Sequence, residues 1–364
     1  MLVTIIHPDL GIGGAERLVM DAAVAMRQNG HEVRFVTNHF NPKHAFMETA
    51  EFDIKVIDVF PRSIFGCGHA LCAYVRMCIA ALYIYQLLTT RKSMIKKFYR
   101  MFIDWFETWT IAMADLICVN SKFTRETVCE TFPCIRARNI HILYPTLNTK
   151  FFDSGGMVEL NEIPKKARHI FVSINRYEKK KNIGLALEAF SLLQEKIPKD
   201  DYQYCFLVIA GGYDIMNVEN TTYFVELQAN AISLGLPREQ YVFLKSPTDE
   251  EKLELLRRAT AVLYTPSNEH FGIVPVEAMY MKCCVIAPSS GGPRETIIDE
   301  ETGFLVEENP NSFAEKMAEL VKDKRKTEAM GNAGRKRVES VFAMDNFAVQ
   351  LESLIREVLS DAYK

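Results

Sequence analysis

Two glutamates, Glu269 and Glu277, stand eight positions apart in Thr265-Pro266-Ser267-Asn268-Glu269-His270-Phe271-Gly272-Ile273-Val274-Pro275-Val276-Glu277-Ala278. Were the segment between them all helix, the eight steps would span ~12 Å. The two carboxylates therefore cannot grip one atom. They suit the two ends of an extended ligand, such as the sugar and the ribose of a nucleotide sugar. Between them Phe271-Gly272-Ile273 offers backbone N–H groups at a helix start, and Pro275 falls near the first turn, where a missing N–H costs little. The plain alternative is a loop glutamate followed by an unrelated helical one, and spacing by itself favours that alternative. His270 reads equally well as a capping or packing histidine.

A second cluster, Asn175-Arg176-Tyr177-Glu178-Lys179-Lys180-Lys181-Asn182, supplies cations. It follows a strand-like run and precedes a helix-like one, so Arg176 and Lys181 are placed to meet a phosphate beside a helix N-terminus. Arginine suits a two-pronged grip and lysine acts as a point charge; Lys179 and Lys180 read as a solvated loop. Three glycine-rich turns complete the candidates: Gly11-Ile12-Gly13-Gly14-Ala15-Glu16-Arg17, Ala210-Gly211-Gly212 and Ser289-Ser290-Gly291-Gly292-Pro293-Arg294-Glu295. Each follows a strand-like run, and each either lets a ligand approach bare backbone or makes a tight turn. The first is not a dinucleotide fingerprint. G-x-G-x-x-G requires glycine at position 16, where Glu16 stands, and this argues against a nicotinamide-dependent oxidoreductase.

Several chemistries are excluded. No Asp-x-Asp occurs, so no metal-diphosphate clamp of that type is expected and no metal is assigned; arginine, lysine and helix termini are left to meet phosphate charge. Without Gly-x-Ser-x-Gly or Gly-x-x-x-x-Gly-Lys-Ser/Thr, hydrolase-elbow and P-loop readings fail. The nine cysteines form no C-x-x-C pair and read as reduced, mostly buried thiols. With 43 basic against 46 acidic residues, bulk charge gives no reason to expect a nucleic-acid partner.

The elements that must position these residues read as parallel α/β. Strand-like runs at 169–174, 204–209, 241–244, 261–264, 284–287 and 303–306 alternate with helix-like stretches such as 183–195 and 250–259. The first half opens similarly, with a strand at 2–6 rather than a signal peptide, a helix at 15–29 and a strand at 31–37, and closes with strands near 116–120 and 140–144. A length of 364 residues suggests two domains. The expected division is 1–160, 161–343 and a helix at 344–364 returning toward the first domain, with the boundary signalled by Ser154-Gly155-Gly156 and Pro164-Lys165-Lys166. One segment looks membrane-like: the apolar run 70–88, interrupted by Arg76 and Gln86, is just long enough to span a bilayer. It is followed by Arg91, Lys92, Lys96, Lys97 and Arg100, then by Trp105 and Trp109, four residues apart. Basic residues beside aromatic ones suit a helix lying on an anionic leaflet.

Taken together, Gly13-Gly14-Ala15-Glu16, Asn175-Arg176 with Lys181-Asn182, Glu269 to Glu277, and Ser290-Gly291-Gly292-Pro293 resemble glycosyltransferase family 4, and the resemblance runs through both domains. The stretches 173–178, 263–275 and Ile103-Asp104-Trp105 are similar, nearly letter for letter, to the mannosyltransferase branch that acts in asparagine-linked glycan assembly. This resemblance implies a GT-B fold, two doubly wound Rossmann-like domains facing a cleft. It also implies retaining transfer of mannose from GDP-mannose to a dolichol-diphosphate-linked oligosaccharide, in α-1,3 and α-1,6 linkages, without a bound cofactor. The place implied is the cytosolic face of the endoplasmic reticulum membrane, beside other mannosyltransferases of the pathway. Carried over to matching positions, Glu269 contacts the donor sugar, Glu277 the ribose, and Arg176 and Lys181 the diphosphate. His270 joins the catalytic candidates. Phe271, Gly272, Ile273 and Gly211 line the donor, and Gly13 and Gly14 face the reaction centre from the first domain. No protein nucleophile is implied. The pattern departs in one place. Where the family continues with a strand, a helix and a second strand leading into His-Phe-Pro-Asp, Tyr85-Gln86-Leu87-Leu88-Thr89-Thr90 passes straight to Arg91-Lys92-Ser93. A βαβ unit of ~30 residues or more is expected to be missing from the first domain.

Overall fold

The computed structural model describes residues 2–7, 9–11, 13–56, 108, 111, 113–136, 138–154 and 158–362. The chain forms two compact units, one made of residues 1–120, 124–146 and 344–364, the other of 121–123 and 147–343. The second unit thus starts at Leu147 and not at residue 161. The reason is local packing: Phe152 sets its ring edge-on to Tyr280 at 5.8 Å, and Asp153 accepts hydrogen bonds from the Tyr280 hydroxyl at 2.8 Å and from Arg335 at 3.1 Å. The segment ahead of the glycine-rich stretch is anchored to the body that follows it.

In the first unit, β1 (Leu2–Ile6), β2 (Glu32–Thr37) and β3 (Asp53–Val56) form a parallel sheet in the order β1-β2-β3, and β4 (Ile117–Val119) pairs in parallel with β5 (Ile140–Ile142). Among the described residues no strand joins the two sheets. Residues 57–107 lie outside the described part, and with them the apolar run 70–88, the basic residues Arg91, Lys92, Lys96, Lys97 and Arg100, and Trp105; Trp109 does too. No helix among the described residues is long and apolar enough to cross a membrane. Leu10, Met20, Ala23, Val33 and Phe35 form a core between sheet and helix Gly14–Gln28. The helix Met344–Ala362 sets Phe347, Ala348 and Leu351 against Ala25 and Leu143, and its Glu352 meets the His31 ring at 3.0 Å.

The glycine-rich turn before helix Gly14–Gln28 has its own occupant. A Cβ placed on Gly13 would meet a carboxylate oxygen of Glu16 at 2.1 Å, so the Glu16 side chain lies back over the helix start. One turn on, Arg17 reaches fully buried Asp21 through Nε at 2.8 Å and Glu48 at 3.0 Å. Burial pushes the Asp21 carboxyl up to about 6, Arg17 offsetting only part of that cost. The folded state therefore takes up this proton before the unfolded chain does. Asp21 weakens the fold when ionised, and the fold recovers as pH falls through 6, fully so only below the unfolded value near 4. Relative to Asp21→Asn, the unfolding free energy of the parent should rise by roughly 1 kcal/mol between pH 8 and pH 5. Urea titrations at the two pH values read this, and an unchanged or falling difference contradicts it.

The second unit is a six-stranded parallel sheet of β6 (His169–Ile174), β7 (Cys205–Gly211), β8 (Tyr241–Lys245), β9 (Ala261–Leu263), β10 (Cys284–Pro288) and β11 (Phe304–Val306), ordered β11-β10-β9-β6-β7-β8. Every residue of β7 is buried, as a central strand covered on both faces requires. Helix Gly184–Lys196 packs Leu185, Ala186, Ala189, Phe190 and Leu193 into the core, a stripe at helical spacing, and lies against helix Pro310–Lys322. In this order the chain leaves β6 to one side and comes back to β9 on the other. The switch point between β6 and β9 is where open α/β sheets take their ligands, at the carboxyl ends of the strands.

Candidate functional site

Both charged clusters read from the sequence sit at that switch point. Asn175–Lys181 leave β6 and Thr265–Glu277 leave β9. After β6 the chain is fixed by Tyr177, whose buried hydroxyl lies 3.0 Å from the Ile209 carbonyl and 2.9 Å from that of Leu244. This holds the turn over the ends of β7 and β8 and leaves Arg176 pointing outward, its side chain 64% exposed. Glu178, itself buried, meets Arg176 at 3.2 Å and Lys180 at 3.1 Å. Lys179 pairs with Glu226 at 2.9 Å on the surface, as a solvated loop residue would. Lys181 turns the other way. Its side chain is 14% exposed and its Nζ lies 2.6 Å from Glu269 Oε1, and its carbonyl accepts from the Thr265 hydroxyl at 2.6 Å. The loop after β6 is thereby tied to the loop after β9 through both backbone and side chain.

The glycine-rich turns of this unit serve the backbone. Gly211, at φ +152°, ends β7 so close to the neighbouring turn that a Cβ there would lie 1.9 Å from the Asn175 carbonyl oxygen. Gly291 and Gly292 do the same for the other loop: their Cβ positions fall 2.5 Å from the Glu269 oxygen and 2.2 Å from the Phe271 oxygen. Gly292 N–H donates to the Glu269 carbonyl at 2.7 Å, and Asn268 N–H to the Ser290 hydroxyl at 3.1 Å. Ser290–Gly292 thus form a shelf that carries Glu269, and at Gly291 and Gly292 the approach leaves no room for a side chain. Gly272, at φ +81°, adopts a left-handed conformation against the Tyr264 hydroxyl and starts helix Ile273–Tyr280. Phe271 is buried, 5.7 Å from the Phe342 ring, so its side chain packs and only its backbone is offered to a ligand. His270 is exposed, its ring 5.8 Å from that of Phe123.

Glu277 lies one turn into that helix and is 12% exposed. Its carboxylate is met by Lys252 of helix Asp249–Arg258, at 2.6 Å. The structure thus ties Arg176, Lys181, Glu269 and Glu277 to the two loops flanking the switch point and puts Gly211 beneath one of them; Gly13 and Gly14 belong to the first unit. Lys252 and Glu178 had no assigned role in the sequence. Lys252 stands in Asp249-Glu250-Glu251-Lys252, which reads as an exposed helix start; no local signal tells that its side chain crosses to another helix. Among the described residues no three His, Cys, Asp or Glu side chains are grouped to hold a metal ion. The arrangement offers Lys181 against the Glu269 carboxylate with Arg176 on the same loop, then a second carboxylate one turn into the following helix. That order of charges matches a diphosphate flanked by two polyhydroxyl groups.

The comparisons with known proteins agree in both halves. A family model described as Glycosyltransferase Family 4 matches residues 12–151, and one described as Glycosyl transferases group 1 matches 160–337. Alpha-1,3/1,6-mannosyltransferase ALG2 of Mus musculus is 40% identical, covering 98% of this chain and 96% of the relative, and that of Homo sapiens is 41% identical over the same shares. The mouse alignment runs over 400 positions against 364 residues here, so at least 36 of its positions have no counterpart in this chain. Among solved structures, sucrose-phosphate synthase from Thermosynechococcus elongatus aligns with a TM-score of 0.76 at 19% identity, covering 99% of each chain. Anabaena Alr3699/HepE in complex with UDP and glucose aligns at 0.73 and 18%, covering 98% of this chain and 100% of that one. These likenesses show the fold, GT-B, built from two Rossmann-like units.

Proposed function

The chain belongs to the α-1,3/1,6-mannosyltransferase group of family 4 glycosyltransferases, and from that premise we propose that it moves mannose from GDP-mannose to a dolichol-diphosphate-linked oligosaccharide, with retention, in the assembly of the asparagine-linked glycan precursor. The observation that carries the site assignment is the Lys181–Glu269 contact at 2.6 Å, which sets a phosphate-binding cation against a sugar-binding carboxylate. Arg176 and Lys181 hold the diphosphate and meet the charge that grows on it as the glycosidic bond breaks, a contribution larger in the transition state than in the ground state. Glu269 orients the donor sugar and lies beside the carbon that becomes electron-poor. Glu277 accepts the ribose hydroxyls, the backbone of Phe271-Gly272-Ile273 lines the sugar and phosphate, and His270, exposed beside Phe123, completes the catalytic set. Gly13 and Gly14, of the donor-binding set, face the reaction centre from the first unit. No metal is required in this scheme, because the two cations supply the charge.

Donor choice tests this reading. Offered GDP-mannose, UDP-glucose and UDP-N-acetylglucosamine with a chitobiose-diphosphate-lipid already carrying one mannose, the full chain should extend the lipid only with GDP-mannose. Extension by a UDP-sugar instead would overturn the donor assignment.

The acceptor's lipid stays in the bilayer, so the first unit works at a membrane surface, which we place at the cytosolic face of the endoplasmic reticulum. Arg91, Lys92, Lys96, Lys97 and Arg100 carry that attachment, with Trp105 and Trp109 at headgroup level. Each basic side chain near an anionic leaflet contributes about 1 kcal/mol. Replacing the five with glutamine should release the chain from phosphatidylserine-containing liposomes in a sedimentation assay. Binding unchanged by that replacement would refute the attachment.

A further inference from the structure

Beside the glycine-rich turn of the first unit stands a polar pair with no role so far. Asp9 and His39 carry the parallel pairing of β1 and β2 past the last strand residues through an isolated bridge, so both lie at the carboxyl ends of those strands. That edge is where open α/β sheets take ligands. The pair is pinned from several sides. The buried Thr37 hydroxyl donates to the His39 carbonyl at 2.9 Å and accepts from His39 N–H at 3.3 Å. His7 N–H donates to the Val36 carbonyl at 3.2 Å, and the His7 ring meets the Asp9 carbonyl through Nδ1 at 2.5 Å. The His39 ring meets Asp9 Oδ1 through Nδ1 at 3.1 Å. Held in this way, the Asp9 and His39 side chains are still 50% and 41% exposed. Asp9 Oδ2 stands 3.6 Å from the place of a Cβ on Gly11, at the head of the turn.

These contacts decide which nitrogens carry hydrogen. A carbonyl and an ionised carboxylate only accept, so in a neutral imidazole each Nδ1 is the protonated nitrogen and each Nε2 keeps its lone pair. Among the described residues no hydrogen bond occupies His7 Nε2, His39 Nε2 or Asp9 Oδ2. The three side chains therefore present acceptors and no spare donor. A phosphate, itself an acceptor, finds no partner in such a set. A metal ion needs its ligands on one point, and among the described residues no three are so grouped. A sugar needs neither, because each of its hydroxyls can donate to a separate acceptor several ångström from the next. The two ends of the donor are assigned to Glu269 and Glu277 in the second unit, which leaves the sugar that is extended. We propose that Asp9 and His39 form an acceptor subsite. Their Oδ2 and Nε2 atoms take hydrogen bonds from hydroxyls of the acceptor's mannose, and Asp9 holds the His39 ring in the tautomer that accepts. This rests on the acceptor being the lipid-linked oligosaccharide proposed above.

The test uses the full chain and two short-lipid probes in detergent: phytanyl diphosphate carrying chitobiose and one mannose, and bare phytanyl diphosphate. Microscale thermophoresis reads both affinities, and that of GDP-mannose, for the parent, Asp9→Asn, His39→Phe and His39→Gln, with thermal melts to confirm folding. The parent should prefer the glycosylated lipid. Asp9→Asn should weaken binding of that lipid by about 10-fold and His39→Phe by about 5-fold, as for one hydrogen bond to a charged and to a neutral group. Neither should move the bare lipid or GDP-mannose. His39→Gln, whose side-chain carbonyl restores an acceptor, should recover to within about 2-fold of the parent. A purely structural pair would lower every affinity together and gain nothing from glutamine, and that result overturns the proposal. So does a parent without preference for the glycosylated lipid. A loss that falls on GDP-mannose instead also overturns it and gives these acceptors to the donor sugar. If Asp9→Asn does not fold, His39→Phe decides alone, at a side chain 41% exposed. A chain that keeps the preference through Asp9 and His39 but transfers from a UDP-sugar loses the donor assignment and keeps this subsite.

Discussion

Replacing Glu269 by alanine is expected to lower mannose transfer by about 100- to 1,000-fold, the loss typical of removing one preorganised electrostatic group, while GDP binding stays within a few-fold of the parent. The geometry separates the two quantities. Glu269 does not touch the nucleotide in the proposed scheme; it faces the sugar and holds Lys181 at 2.6 Å. Without the carboxylate, Lys181 keeps its place through its backbone bond to Thr265 and remains free to meet phosphate. Ground-state binding of the diphosphate survives, and positioning of the sugar at bond breaking does not. Glu277→Ala should behave in the opposite sense. Its interaction with the ribose is the same in ground and transition states, so its loss raises the donor KM and leaves kcat nearly intact. Steady-state transfer at saturating donor and GDP calorimetry on both variants read the split. If both substitutions raise KM with kcat unchanged, the two glutamates do not divide the donor in this way.

Gly292→Ala should be more damaging to the fold than its size suggests. The added Cβ would stand 2.2 Å from the Phe271 carbonyl oxygen and 2.4 Å from its Cα, both main-chain atoms that no rotamer change can move aside. The shelf under Glu269 has to shift, and with it the Gly292 N–H bond to the Glu269 carbonyl at 2.7 Å. We expect a loss of about 4 kcal/mol or more, the range reached by substitutions that force strain into a buried backbone. Transfer should vanish in whatever fraction still folds. Gly211→Ala, 1.9 Å from the Asn175 oxygen and at positive φ, should act likewise on the Arg176 side. Gly184→Ala is the control: its Cβ would find nothing nearer than the Asn230 amide at 3.5 Å, and a helical alanine there should be neutral or mildly stabilising. Melting curves of the three variants suffice. A Gly292→Ala protein as stable as the parent would mean that the shelf is not what carries Glu269.

These glycines show where the sequence could be read and where it could not. The strands of the second unit were legible because a parallel sheet covered on both faces needs unbroken apolar runs, and 204–209, 261–264 and 284–287 are such runs. The carboxyl ends of those strands were legible too, and placement and resemblance together singled out Arg176, Lys181, Glu269 and Glu277 there. A glycine's reason was not legible. In the sequence each of these turns read either as a place for a ligand to approach bare backbone or as a tight turn, because a close approach to phosphate and a close approach to another backbone demand the same missing Cβ. The carboxylate partners of the lysines were hidden for a related reason. Lys252 and Glu277 are 25 residues apart on separate helices, and nothing local to either announces the other. The unit boundary moved on the same kind of long-range contact, Asp153 with Tyr280 and Arg335. In the first unit Glu16 was read as breaking a dinucleotide fingerprint, and its folding back over Gly13 could not be read from its type or position.

Stereochemistry and count of product test the central claim most directly. The full chain is incubated with GDP-mannose and a lipid-linked chitobiose diphosphate carrying one mannose, and the released glycan is weighed by mass spectrometry before and after linkage-specific α-mannosidases. The account predicts a gain of two hexoses, both removed by α-mannosidase, one from an α-1,3 and one from an α-1,6 bond. It also predicts that Glu269→Ala abolishes the gain while still binding GDP. A β-linked product, or a folded chain that binds GDP and transfers nothing, would contradict it.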